Sequence, residues 1–487
     1  MLPSCFDLCV LGAGPAGYAA AVRAHDLGKK VLLVERARIG GAGIHAGALS
    51  SKTMWHLSND YANACRTGRG YLAGDVQVSY AAVMESLRQA VSERRGLFEQ
   101  QLEALAQPAD TGGQVWLLKG TGRFLTPHAI EVAQIDGSLL RYEADHFLIA
   151  TGSKPRVPDG IDVDGVHIVT SDQIEDLEVF PRSLVILGAG VVGCEYATIF
   201  ANFRRTRIHL LDRQPRVLPF EDEDISEEVS RSFERMGIIV HREPQLASMR
   251  VVDGQVEFVL QHPAGTSEPH RVERALISTG RAANTASLDL AAAGVKVDAR
   301  GGVITKQTRT SAPHIYAAGD VSMDVALANV AELEGRVAVE RMFGPEPRPI
   351  CYEALSTIMF LAPEVAAVGL NEQQARQRQV PYRFAVVQNR LVSRNIAMGA
   401  TEGFLKLLAT PEGRILGLRV VGRQASSAVQ GTAFLIETQG TLEQIDGCLH
   451  PHPAIAEGVQ ECARLLLGKS LHKASIFGPE LLRCGSG

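Results

Sequence analysis

No two of the eight cysteines stand as C-x-x-C, and none falls into a cysteine–histidine set at metal-ligand spacing. Cys5, Cys9, Cys65, Cys194, Cys351, Cys448, Cys462 and Cys484 are scattered over 487 residues. That scatter argues against a disulfide framework or a structural zinc and for reduced thiols, and no metal is expected. No window reaches the roughly 18 consecutive apolar residues of a membrane span. An excess of one charge is lacking too. Forty-nine basic against 54 acidic side chains leave a net −5, no footprint for nucleic acid or an anionic membrane. An apolar run begins by Phe6, leaving no space for a cleavable leader, so the expected compartment is the cytoplasm.

What is present is glycine, 47 residues of it, much of it in two similar places. Phe6–Leu11 reads as a buried parallel strand. Gly12-Ala13-Gly14-Pro15-Ala16-Gly17 then turns into an Ala-rich helix, and Val31–Val34 forms a second strand closing on Glu35. In a dinucleotide-binding unit Gly12 permits the tight turn, Gly14 lets backbone approach a pyrophosphate, and Gly17 lets the helix pack on the strand. The helix N-terminus faces the phosphates, and Glu35 accepts from ribose hydroxyls. Strand, loop, helix, strand and terminal acid together make the motif strong. The same unit returns as Leu184–Leu187, Gly188-Ala189-Gly190-Val191-Val192-Gly193, a helix through Glu195, and a strand Arg207–Leu211 ending on Asp212. Two such units imply two dinucleotides, one held and one exchanging. Asp212 favours NADH by accepting from the 2′-hydroxyl; Arg213 and Arg216 offer the alternative of clamping the 2′-phosphate of NADPH.

Between the units, helical periodicity runs over Lys52–Asn63 and about Tyr80–Leu105. Val115–Leu118, Thr121–Phe124 and Ala129–Ala133 read as short antiparallel strands, and His146–Ala150 as a buried strand ending in Thr151-Gly152-Ser153. Ala275-Leu276-Ile277-Ser278-Thr279-Gly280-Arg281 mirrors that ending. Beyond Pro349 no nucleotide loop recurs, and the chain reads as strands with helices.

The stretch Gly40-Gly41-Ala42-Gly43-Ile44-His45-Ala46-Gly47-Ala48-Leu49-Ser50-Ser51-Lys52 resembles the active-site segment of the flavin-dependent pyridine nucleotide–disulfide oxidoreductases, the dihydrolipoamide dehydrogenase-like family. That segment reads roughly G-G-x-C-x-x-x-x-C-x-x-S-K, its two cysteines forming the redox disulfide. Gly43 and Ala48 stand in their places here. The resemblance covers nearly the whole chain and implies an α/β protein: two Rossmann-like dinucleotide-binding domains plus a C-terminal α+β dimerisation domain. Its expected segments are 1–150 (FAD, first part), 151–282 (NAD(P)), 283–347 (FAD, second part) and 348–487 (dimerisation). FAD contacts fall on Gly12, Gly14, Gly17, Glu35, Gly41, Lys52, Thr151, Gly152 and Asp320, the last in Ala317-Ala318-Gly319-Asp320. For Asp320 the open alternative is a cap on the next helix. NAD(P) contacts fall on Gly188, Gly190, Gly193, Asp212, Arg213 and Gly280.

The resemblance further implies that Lys52 and Glu195 pair beside the flavin's reactive nitrogen, the alternative being two unrelated surface charges. His452-Pro453-x-x-x-Glu457 matches the family's acid–base dyad, in which the histidine serves the other subunit of a homodimer. Pro453 is expected in the first turn of the helix through Glu457. His45 matches a histidine of the soluble pyridine nucleotide transhydrogenases and is either a proton donor at the acceptor site or an exposed turn residue. Cys194 reads as a packed core residue. The tail Leu482-Arg483-Cys484-Gly485-Ser486-Gly487 reads as disordered.

The expected activity is an FAD-dependent NAD(P)H oxidoreductase serving a small non-disulfide acceptor, in first place a quinone. Transhydrogenation to a second nicotinamide nucleotide is the alternative enzyme, and a degenerate flavin-binding sensor or assembly partner the alternative of another class. Dihydrolipoamide dehydrogenase activity is disfavoured, because both redox cysteines are absent.

Overall fold

The computed structural model describes residues 3–487 except 69, 71–73, 111, 244 and 262–264. Two compact units emerge: residues 1–180 with 276–350, and 181–275 with 351–487.

The first unit is built on one sheet. Strand Cys5–Leu11 lies between Lys30–Glu35 and Leu139–Ile149, parallel to both. The first two are almost unbroken apolar runs buried on both faces, as a doubly covered parallel sheet requires, and Leu139–Ile149 becomes so at its Phe147–Ile149 end. Strand Gln114–Lys119 extends the sheet parallel to Lys30–Glu35, which corrects the expected antiparallel assignment. Thr121–Thr126 and Ala129–Ala133 do form an antiparallel ladder on the far side. Local alternation cannot tell these cases apart, because strand direction is set by long-range pairing. Ile315–Ala317 joins Leu139–Ile149 in parallel and delivers Asp320 to the same sheet end. Helix Pro15–Asp26 packs on Ala328–Phe343, and Gly335 makes that approach possible, since a Cβ there would collide with the Ala16 carbonyl.

In the second unit Ser183–Leu187, Arg207–Leu211 and Ile239–His241 are parallel and in register. An antiparallel sheet of Gln245–Val252, Gln255–Gln261 and Ser267–Val272 follows in the chain. The C-terminal part carries a six-stranded sheet ordered Ser356–Met359, Val365–Gly369, Ile415–Val421, Phe404–Ala409, Arg383–Gln388 and Leu482–Ser486. Its last strand is the tail that reads as disordered from sequence. Five residues pair in register with Arg383–Val387, and Gly487 exchanges backbone hydrogen bonds with Tyr382. The tail holds because it finds an unpaired sheet edge, which its own composition does not reveal. Among the described residues no helix is long and apolar enough to cross a membrane.

Candidate functional site

The first loop has the geometry of a dinucleotide cradle. Gly12 has φ +106°, and a Cβ on it would strike the Ala150 carbonyl. Gly17 closes on Val10, where a Cβ would stand 3.0 Å from Cγ1. Gly14, by contrast, has nothing within 4 Å of its virtual Cβ, so backbone there is open to an approaching phosphate. Glu35 is buried, and its carboxylate accepts from the N–H of Ala13 at 2.7 Å and of Ala37 at 2.6 Å. The acid is thereby pinned to the loop it serves, with lone pairs left for hydroxyl donors. These features fit the adenosine diphosphate half of FAD.

Gly40 and Gly41 lie against this loop. The Gly40 N–H donates to the Ala13 carbonyl at 2.8 Å, and a Cβ on Gly41 would sit 3.2 Å from Gly14 Cα. Gly43 ends a short 3-10 turn over Gly41–Gly43, and a Cβ there would stand 2.6 Å from Pro15 Cγ. The backbone at this position, a cysteine in the resembled motif, is fitted to glycine. His45 is half-buried rather than an exposed turn residue: its Nε2–H donates to the Ile39 carbonyl at 2.9 Å. Burial holds its pKa below the ordinary histidine value, so it is neutral at pH 7. Lys52 lies in the first turn of helix Leu49–Ala64, its Nζ 3.4 Å from the Gly47 carbonyl and 3.3 Å from Ser51 Oγ.

A second cluster gathers at the same sheet end. Thr151 and Asn284 clasp each other through Oγ1 to carbonyl at 2.9 Å and amide to carbonyl at 3.0 Å. Asp320 accepts from Ser153 Oγ at 2.6 Å, and Arg281 donates through Nε to that hydroxyl at 2.7 Å. Arg281 Nε stands 3.8 Å from the Asp320 carboxylate. Asp320 falls inside the 3-10 turn Gly319–Ser322 and does not cap the helix that begins at Ala328, which disposes of the capping alternative. Buried Glu334 accepts from the Gly319 N–H at 2.7 Å. Ser153, Arg281 and Glu334 were not singled out as site residues from the sequence; Ser153 and Arg281 stood inside quoted motifs without a role. Gly280, expected at NAD(P), falls in the first unit, where the Arg156 N–H donates to its carbonyl at 2.9 Å.

The second loop repeats the first. Gly188 has φ +109°, and its N–H donates to the Leu211 carbonyl at 2.7 Å; Gly190, like Gly14, faces open space. Gly193 is buried in the first turn of helix Val191–Phe203. Asp212 accepts from the N–H of Ala189 at 2.6 Å and of Gln214 at 2.9 Å, as Glu35 does in its own loop. Beside it opens a cavity of about 390 Å3, lined among others by Asp212, Gln214, Arg216, Glu223, Glu227 and His241. Arg213 is exposed, whereas Arg216 donates to Gln373 Oε1 at 2.6 Å and to the Glu221 carbonyl at 3.0 Å. Glu195 is buried, not a surface charge, and accepts from the Phe360 N–H at 3.0 Å.

In the same unit His452 Nδ1 lies 2.8 Å from Glu457 Oε1, and the Ala454 N–H donates to Oε2 at 2.8 Å. Burial raises the Glu457 pKa, but the hydrogen bonds from His452 and Ala454 outweigh it and hold the carboxyl below its ordinary value. The helix starts at Ala456 rather than at Pro453, so the histidine sits in the loop before it with most of its side chain exposed. Buried Cys9, Cys194 and Cys462 have their thiols pushed well up by desolvation, far from the thiolate that disulfide chemistry needs.

Comparison with known proteins agrees with this architecture. The pyridine nucleotide-disulphide oxidoreductase model matches residues 6–335, and the dimerisation domain of that family matches 355–463. The chain belongs to this family and is an FAD-dependent pyridine nucleotide oxidoreductase. It is 32% identical over 477 residues to dihydrolipoyl dehydrogenase 3 of Haloarcula marismortui, covering 96% of this chain and 98% of that one. It is 31% identical over 470 residues to a dihydrolipoyl dehydrogenase of Bacillus subtilis, covering 96% and 97%. The structure of LpdA from Mycobacterium tuberculosis superposes with a TM-score of 0.85 at 27% identity, over 94% of this chain and 99% of that one. The HOCl-induced flavoprotein disulfide reductase RclA of Escherichia coli, as its Cu(II) complex, reaches 0.84 at 22% identity over 94% and 99%, a likeness of fold alone. The dimerisation domain supports a homodimer.

Proposed function

We propose that this chain oxidises NADH and reduces a small non-disulfide acceptor of quinone type, without dithiol chemistry. The observation that carries this is Gly43, where a Cβ would stand 2.6 Å from Pro15 Cγ so that any side chain would require Pro15 to move, with Ala48 at the second position. Oxidising a dihydrolipoyl dithiol, or reducing the lipoyl disulfide, by exchange requires a reactive cysteine pair, so the activity in the relatives' names does not carry over. Bound FAD supplies a two-electron carrier between the nicotinamide and the acceptor.

The chain's own residues bind, orient and move protons. Asp212, anchored by two backbone N–H groups, selects the ribose diol of NADH and repels a 2′-phosphate. Arg216, already engaged by Gln373, is a poor clamp for that phosphate. Lys52 supplies positive charge for the reduced ring. The balance is NADH + H+ + quinone giving NAD+ + quinol, so each turnover consumes one proton. His452, oriented by Glu457, delivers it to the acceptor bound on the other subunit of a homodimer. His45, neutral and tied to Ile39, shapes the acceptor wall. The eight free thiols fit a reducing cytoplasm.

Anaerobic titration with NADH tests the reading. Two electrons per flavin are expected, with no thiolate–flavin charge-transfer band and turnover with a soluble quinone. Uptake of four electrons, or steady lipoamide reduction, would refute it. Turnover with NADP+ in place of the quinone would transfer the assignment to transhydrogenation, and flavin unmoved by NADH would favour a sensor.

A further inference from the structure

The tail strand Leu482–Ser486 completes a row of charges across the C-terminal sheet. Arg483 pairs with Val386, Val386 with Lys406, and Lys406 with Arg419. Directly paired residues of an antiparallel sheet point to the same face, so three cations line one side. Facing them is the acidic segment Glu221–Asp224, together with Glu372. Arg419 Nε donates to Glu221 at 2.7 Å. Lys406 Nζ donates to Asp222 at 2.9 Å, to both oxygens of Asp224 at 3.1 and 3.0 Å, and to Glu372. Arg483 Nη2 donates to Asp224. Lys406 is only 1% exposed; burial opposes its charge, yet Asp224 and Asp222 outweigh burial and raise its pKa.

This acidic segment is also the start of the cavity wall. Asp222 is the N-cap residue of helix Glu223–Arg235, and Glu223, Ser226, Glu227 and Ser230 of that helix line the cavity beside Asp212. Asp222 is gripped from its other side too, accepting the N–H groups of Glu372 at 3.2 Å and Gln373 at 3.0 Å. Three carboxylates, Asp222, Asp224 and Glu372, surround Lys406; Arg376 offsets Glu372, at 3.0 Å, and Arg483 offsets Asp224. Arg483 therefore decides whether the cavity wall begins with a neutralised or a surplus negative charge. A surplus there works against the diphosphate of an entering dinucleotide.

We propose that the C-terminal strand is a strap on the nucleotide cavity, with Arg483 a positioning residue that fixes Asp224 and through it the first turn of the wall helix. The proposal rests on the reading of that cavity as the NADH site. The strand lies beyond residue 463, outside the match to the family's dimerisation domain.

The test uses the full-length flavoprotein with NADH as probe and a soluble quinone as acceptor. R483Q should raise the KM for NADH about three- to tenfold while kcat and the KM for quinone stay within about twofold. R483K, which restores the charge, should recover most of the loss, and the melting temperature should barely move because Lys406 still pairs Asp224. An unchanged KM for NADH in R483Q overturns the strap, as does a fall in melting temperature with KM unmoved. Should the wild type itself fail to bind NADH, the reading of the cavity fails and the strap falls with it; should only the variants match wild type, the strap falls alone.

Discussion

The two dinucleotide loops have the same local chemistry and different surroundings. Each pins its terminal acid with two backbone N–H groups, Glu35 through Ala13 and Ala37, Asp212 through Ala189 and Gln214. Around the first loop, beyond the open backbone at Gly14, other segments pack closely. The Gly40–Gly43 segment lies on it, Ala150 blocks any Cβ on Gly12, and Gly335 brings a second helix against Ala16. Beside the second loop lies a cavity of about 390 Å3. On the proposed reading, one motif serves a held FAD where neighbouring segments pack on it and an exchanging NADH where a cavity lies beside it. The distinction lies in what packs on the loop, not in the loop.

The sharpest way to break this comparison is to crowd the enclosed loop. G12A sets a methyl against the Ala150 carbonyl at a positive φ and should cost several kcal/mol, about 3 or more, yielding protein without flavin or no soluble protein. Recovery of a normally flavinated G12A protein would show that the first loop is not closed to a side chain at Gly12. D212A comes next. It should leave flavin content intact and raise the KM for NADH about ten- to a hundredfold, the worth of hydrogen bonds to a charged group. Loss of flavin from D212A would mean that the loops do not act separately.

Acid gives the smallest effect. His209, on the strand that ends in Asp212, stands 2.9 Å from His241, and burial, then His241 and His270, lower its pKa to about 4. Its unfolded-state pKa lies near 6.5, so the unfolded chain binds the extra proton between these values. Stability from this group is therefore complete above about pH 6.5 and falls by about 1–3 kcal/mol as pH drops towards 4. Thermal unfolding across that range should show the slope in wild type and a shallower one in H209N. Equal slopes would remove His209 as its source.

The second loop also shows where sequence reading stops. Asp212 was legible because it follows a strand, a glycine loop and a helix at fixed spacing. Arg216, four residues on, was legible as a candidate phosphate clamp, but its partner Gln373 lies far along the chain. The same holds for Arg281, whose bond to Ser153 joins residues 128 apart. Lys406 looked like an ordinary strand residue in Gly403-Phe404-Leu405-Lys406-Leu407, and only three converging carboxylates explain a lysine that is 1% exposed. Strand direction at Gln114–Lys119 and the docking of Leu482–Ser486 were missed for one reason: both depend on which edge a strand finds.

By itself the sequence determined the two loops, their terminal acids, the family and the missing cysteines at Gly43 and Ala48, because each is written in residues close together in the chain. Tertiary structure alone decided that Pro15 crowds Gly43, that Gly40–Gly43 packs on the first loop and a cavity opens beside the second, and that the tail carries Arg483 to Asp224. Those are contacts between distant segments, and their energies depend on burial and opposing charge, which no local pattern records.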